Sequence, residues 1–181
     1  MRRLAFIGVL AILAVVGAAI FFFGGFYNVA ATEEDPGVVA WALAKVREIS
    51  IGRHAVDTPP PSLDAPESIQ AGARAFATRG CASCHGGPGV TWLKFTEGMR
   101  PYPPDLKDVA KALDTPQIFW VIKNGIKMTG MPSFGSIEVP DQEMWTIAAF
   151  VKKLPLVSEA DYKTWTASAQ PAEPAAPPKT P

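Results

Sequence analysis

The chain has 181 residues, with 17 basic and 17 acidic side chains and a formal net charge of zero. That length suits one domain with appendages, and the balanced charge offers no basic stripe for a nucleic-acid partner. Its two cysteines, Cys81 and Cys84, are too few for a disulfide framework and close enough together to share a bound group.

Residues 1–31 read as a signal or transmembrane anchor. Arg2 and Arg3 precede an unbroken apolar run from Leu4 to Phe23. The run matches the ~20 residues that cross a bilayer and exceeds the roughly 7–15 of a cleaved signal. A retained anchor is therefore preferred, with cleavage near Val29-Ala30-Ala31 as the alternative. The paired arginines should stay cytoplasmic, which places the following chain on the outer, periplasmic face of an inner membrane. If the segment is cleaved, the product is periplasmic outright.

Residues 32–56 form a second segment. Glu33, Glu34, Asp35 and Pro36 suit a helix start, with acids at the positive end of the dipole. Val39, Leu43 and Val46 then share a side over Gly37 to His54, an amphipathic pattern that Trp41 would fit to a membrane interface. A partner subunit or the following domain could cover the same side. The prolines in Thr58-Pro59-Pro60-Pro61 break this helix, and residues 57–64 read as a stiff linker.

Residues 65–156 carry the compact, helical part, and no stretch alternates with the period of a strand. Ile69, Ala73 and Phe76 follow helical spacing. Thr115 and Pro116 look like an N-cap and first-turn proline for a helix through Phe119, Trp120 and Ile122, stopped by Asn124-Gly125. Pro140-Asp141 opens another, with Met144, Ile147, Val151 and Leu154 as its apolar stripe. Residues 157–181, rich in alanine and proline towards the end, read as a flexible tail.

The strongest chemical signal is Cys81-Ala82-Ser83-Cys84-His85. C-x-x-C-H is the attachment pattern of a c-type haem. Two thiols one helical turn apart can each add to a vinyl group of one porphyrin, and the adjacent histidine then reaches the iron. A zinc site would need two more ligands, and the only other histidine is His54. A thioredoxin-like pair belongs beside a βαβ unit, which is missing here. One covalent haem c follows, with His85 as one iron ligand.

The sixth iron position decides between carrier and catalyst. Residues Asn124 to Gly135 form a loop of glycines, a proline and two methionines. A neutral thioether favours ferrous iron and raises the reduction potential. Met131, between Gly130 and Pro132, is the first candidate and Met128 the reserve; Met144, on a helix stripe, reads as core filling. Trp92, Phe95, Leu106, Trp120 and Phe134 are candidate haem walls, with ordinary core packing an equal alternative. Arg100, Tyr102 and Trp92 are candidate propionate partners. Lys94, Lys123 and Lys127 flank the loops and could steer an acidic partner, or simply be solvated.

From about Ala65 to Leu156 the chain resembles a class I monohaem cytochrome c of the membrane-anchored bacterial type. The residues that carry the resemblance are the Cys81–His85 motif, Met131-Pro132 within Thr129 to Phe134, and the closing helix Asp141 to Leu154. The resemblance implies an all-α class I cytochrome c fold around one covalent haem, preceded here by a transmembrane helix. It implies Met131 as the sixth ligand, and a close crossing of first and last helices with Gly72 facing Phe150. It also implies single-electron transfer between redox proteins in a respiratory or dehydrogenase-linked chain rather than catalysis. The alternative is a subunit held permanently in a larger membrane oxidase or dehydrogenase. A haem enzyme or gas sensor with open iron is a third reading, which the methionine loop opposes.

Overall fold

The computed structural model describes residues 2–168, so the alanine- and proline-rich stretch from Gln170 lies outside the described residues. Among these the fold is all-α, with one isolated bridge between Gly87 and Val90 and no strand. Contacts divide the chain after Pro36 into two units. In the first, α1 (Arg2–Phe23) is apolar on all sides and exposed along its length. It is the one helix among the described residues long and apolar enough to cross a membrane. After it, the Tyr27 hydroxyl donates to the Asp35 carboxylate.

The second unit holds α2 (Gly37–His54), α3 (Pro66–Thr78), α4 (Cys81–His85), α5 (Leu106–Ala112), α6 (Thr115–Asn124), α7 (Asp141–Lys153) and α8 (Glu159–Thr166). Its centre is the crossing of α3 and α7. Pro66 in the first turn of α3 and Glu67 beside the exposed amides set its start, and Ile69, Gly72, Ala73 and Phe76 form its buried side. On α7, Asp141 and Glu143 occupy the first turn and Lys152 and Lys153 the last, matching the dipole at both ends. The helices meet at Gly72, where an added Cβ would lie 2.0 Å from the Thr146 carbonyl oxygen and 2.9 Å from the Phe150 Cβ. Phe76 packs obliquely on Phe150 with ring centres 5.3 Å apart. Phe76, Phe119, Met144, Ile147 and Phe150 are fully buried, each stabilising by about 1.5–3 kcal/mol over exposure.

Three boundaries differ from the sequence reading. The N-cap of α6 is Asp114, one residue before Thr115, because Asp114 and Gln117 form a reciprocal capping box: each side chain accepts the other's backbone N–H at 2.9 Å. The linker read over residues 57–64 is packed at its C-terminal end, where Leu63 is buried in the core and the Ser68 hydroxyl donates to the Ser62 carbonyl at 2.9 Å. The flexible tail assigned to 157–181 is corrected over its first part. There α8 is capped by the Ser158 hydroxyl, which accepts the Asp161 N–H at 3.1 Å, and Tyr162 is buried. The charged residues of α8 hid that single buried aromatic.

The C-terminal end of α2 is built into this unit. Ile51 is buried, and the His54 ring stacks on Trp120 of α6 with centres 6.1 Å apart. Along the rest of α2, Val38, Trp41, Leu43, Val46 and Ile49 are all exposed.

Candidate functional site

α4 is a single short helix carrying the Cys81–His85 motif. It ends at Gly86, whose φ of +67° only glycine adopts without strain, and where a Cβ would lie 3.0 Å from the Val90 carbonyl oxygen. The chain then turns back through Gly87–Val90, closed by reciprocal backbone bonds of 2.8 and 3.0 Å, and Leu93 N–H donates to the Ser83 carbonyl at 2.8 Å. This strap holds one wall of a cavity of about 450 Å³, within the ~300–1,000 Å³ typical of cofactor pockets.

His85 stands in that wall with its Nδ1 3.0 Å from the Pro104 carbonyl oxygen. Nδ1 therefore carries the proton and donates, leaving Nε2 as the free electron pair. Burial holds the His85 imidazole below its ordinary range, opposed by that hydrogen bond. The ring thus favours the neutral form that a metal ion requires. Burial pushes the Cys81 thiol up to about 12, with Cys84 adding to the rise and Arg79 opposing it. The two thiols are free rather than joined to each other. Beside them, Arg79 donates to both carboxylate oxygens of Glu143, at 2.6 and 3.0 Å, tying the end of α3 to the first turn of α7.

The cavity gathers Cys84, His85, Trp92, Tyr102 and Leu106 from the sequence candidates. Trp92 and Tyr102 remain more than half exposed on its rim, whereas Leu106 is buried. Arg100 stands over the Tyr102 ring at 3.7 Å, donates to the Glu97 and Met99 carbonyls, and keeps a buried Nε without a partner. Phe95 is exposed, Phe134 lies in the core and Trp120 packs on His54, so these three do not line the cavity. Lys123 is taken up by Asp141 at 2.7 Å. Sequence reading overlooked Pro104, Thr96 and Lys107, and took Leu154 only for part of a core stripe; all four line the cavity. Pro103-Pro104 was the available signal, since a rigid extended pair presents a carbonyl in a fixed direction.

The methionine loop is anchored separately. Gly125, at φ +66°, lets it close: a Cβ there would sit 2.7–2.8 Å from the backbone of Met131, Pro132 and Ser133. Ile126 N–H donates to the Met131 carbonyl at 3.2 Å, and the Thr129 hydroxyl accepts the Met131 N–H at 3.1 Å while donating to Ile126. The Ser133 hydroxyl donates to the Lys123 carbonyl at 2.7 Å. Met131 is half-buried against the core, while Met128 is 92% exposed at a φ of +60°. Neither methionine, nor Cys81 or Arg100, is among the lining residues of the cavity.

A porphyrin fits this donor set. Two free thiols sit one turn apart, and the adjacent histidine, with one nitrogen fixed and one free, stands with Cys84 in a wall that includes apolar side chains. Among the described residues no group of three or more His, Cys, Asp or Glu could hold a bare metal ion instead.

Residues 67–151 match the family described as Cytochrome C oxidase, cbb3-type, subunit III. No curated protein and no solved structure matches the chain.

Proposed function

We propose that this chain, whose residues 67–151 match the cbb3-type cytochrome c family, is a membrane-anchored carrier of single electrons with one covalent haem c. Cys81 and Cys84 supply the thioether sulfurs and His85 and Met131 the two axial ligands. The observation that carries this reading is the fixed His85, its Nδ1 bonded to Pro104 and its Nε2 free, beside two unpaired thiols. When bound, haem supplies an iron that accepts and returns one electron. The chain's own residues hold the histidine neutral, wall the site with buried Leu106, and offer Trp92 and Tyr102 at the rim, with Arg100 behind the Tyr102 ring, to the propionates.

The Cys81 motif leaves the choice between electron carrier and gas-binding protein to the opposite side of the haem. The half-buried position of Met131 against the core and the exposed one of Met128 support Met131 as the ligand that closes it. With α1 in the membrane and Arg2 and Arg3 on the cytoplasmic side, the haem domain works on the outer, periplasmic face. Its donors and acceptors are redox proteins of a respiratory or dehydrogenase-linked chain. Adding carbon monoxide to the reduced protein at neutral pH tests the carrier. A six-coordinate iron should bind it slowly or not at all, and rapid binding would overturn the assignment.

A second reading, a cytochrome subunit held in a larger membrane oxidase or dehydrogenase, is favoured by the exposed apolar residues of α2. A free shuttle has no use for them. Purification in mild detergent separates the readings: a stoichiometric complex supports the subunit, and a lone monomer the shuttle.

A further inference from the structure

The segment matching the family ends at residue 151, but the chain continues past the cavity wall at Leu154 into α8. α8 places two side chains against the turn that follows His85. Tyr162, 3% exposed, stacks on Phe150 with ring centres 5.7 Å apart and an interplanar angle of 23°. Its ring and hydroxyl lie 3.5–3.6 Å from where a Gly87 Cβ would be. Glu159 stands likewise 3.2–3.3 Å from the Cβ position of Gly89. Gly86, Gly87, Pro88 and Val90 line the cavity beside His85. Three glycines in five residues make this turn intrinsically loose. Within the turn the backbone closes only the Gly87–Val90 bridge, and the remaining backbone bonds, Gly86 N–H to Ala82 and Leu93 N–H to Ser83, lie at its two ends, so packing from outside adds to what holds its middle in place.

We propose that α8 is a latch on this turn, with Tyr162 as a positioning residue that keeps water from the histidine side of the haem and thereby raises the reduction potential. The inference rests on the carrier reading above. Its physical basis is the cost of charge in a dry site: oxidised haem carries one more positive charge than reduced haem, and burial penalises the more charged form. Tyr162 carries the latch because it touches both the helix crossing, through Phe150, and the turn, through Gly87. Loosening the turn admits water, stabilises the ferric form and lowers the potential.

The test is an equilibrium redox titration of the full-length, haem-loaded protein. Tyr162→Ala should shift the ferric-to-ferrous ratio at a fixed potential about tenfold towards ferric, ~59 mV for a one-electron couple. Tyr162→Phe keeps the ring and should stay within about twofold of the parent, ~18 mV on the same conversion. Tyr162→Leu preserves apolar volume without the ring and serves if the alanine variant does not accumulate; it should shift the ratio in the same direction as the alanine variant. A lowered melting temperature with the ratio unmoved in the alanine or leucine variant would overturn the latch and leave α8 a structural prop. Intact mass of the parent keeps the two readings apart. A chain without one covalent haem refutes the carrier reading, and the latch with it, whereas a loaded parent with unshifted variants refutes the latch alone.

Discussion

At Gly72 the fold tolerates no side chain, and Gly72→Ala measures that directly. The glycine lies within α3 and needs no left-handed backbone, so alanine loses nothing conformationally and would gain about 1 kcal/mol of helix propensity. Against this, the new Cβ would stand 2.0 Å from the Thr146 carbonyl oxygen, 2.6 Å from its carbon and 2.9 Å from the Phe150 Cβ. Two of these atoms are backbone, and all belong to a helix buried along most of its length, so relief requires α3 and α7 to move apart. Overpacking typically costs about 1–3 kcal/mol, and a backbone clash belongs at the upper end. The net loss should be about 2 kcal/mol. At ~4–8 °C per kcal/mol for a domain of this size, the melting temperature should fall by about 8–16 °C. Thermal unfolding of the ferric protein, followed by far-ultraviolet circular dichroism, reads this out. Gly52→Ala is the control, because its Cβ would meet only the Gln117 Nε2 at 3.8 Å. A Gly72→Ala protein as stable as the parent would refute the tight crossing.

Other outcomes follow from the same geometry. Met131→Ala should abolish the ferric charge-transfer band of methionine-ligated iron, while Met128→Ala, at an exposed site, should leave it intact; the reverse pattern would move the ligand to Met128. Lys152→Met removes the ammonium that donates to the Ala110 and Leu113 carbonyls at 2.6 and 2.8 Å, and should cost about 1–3 kcal/mol in chemical denaturation. Glu143→Gln leaves Arg79 without its carboxylate; with both groups over a quarter exposed, the loss should be about 1 kcal/mol and shrink in high salt. A loss that ignores salt would indicate packing rather than charge.

The fold was legible wherever one physical signal dominated a segment. Apolar length marked α1, helical periodicity marked α3 and α7, and the C-x-x-C-H spacing singled out the segment that forms α4. Legibility failed where structure depends on residues distant in sequence. Leu63 among prolines is a lone apolar residue, and Tyr162 among charges has only Trp165 one turn on, too short a pattern to reveal it. Their burial comes from a core assembled elsewhere. The same holds for Pro104, which matters through a carbonyl, a group every residue carries. Trp92, Phe95, Trp120 and Phe134 are alike in composition, and only tertiary placement separates a cavity wall from core, rim and helix contact.

That division bears on how a carrier keeps its electron transfer fast. A one-electron change is quick when the surroundings need little rearrangement, so the groups on both sides of the haem should be held by more than their own segment. On the histidine side, Pro104 fixes the ring and α8 backs the turn. On the methionine side, the backbone packs over Gly125, Thr129 bonds at two points, and Ser133 reaches back to α6. Each support comes from residues that carry no redox chemistry. On the proposed reading, the Cys81–His85 motif determines what is bound, whereas Pro104, Gly125, Ser133 and Tyr162 determine how rigidly it is held. The second group should set the reduction potential and the rate of exchange even where the first is left untouched.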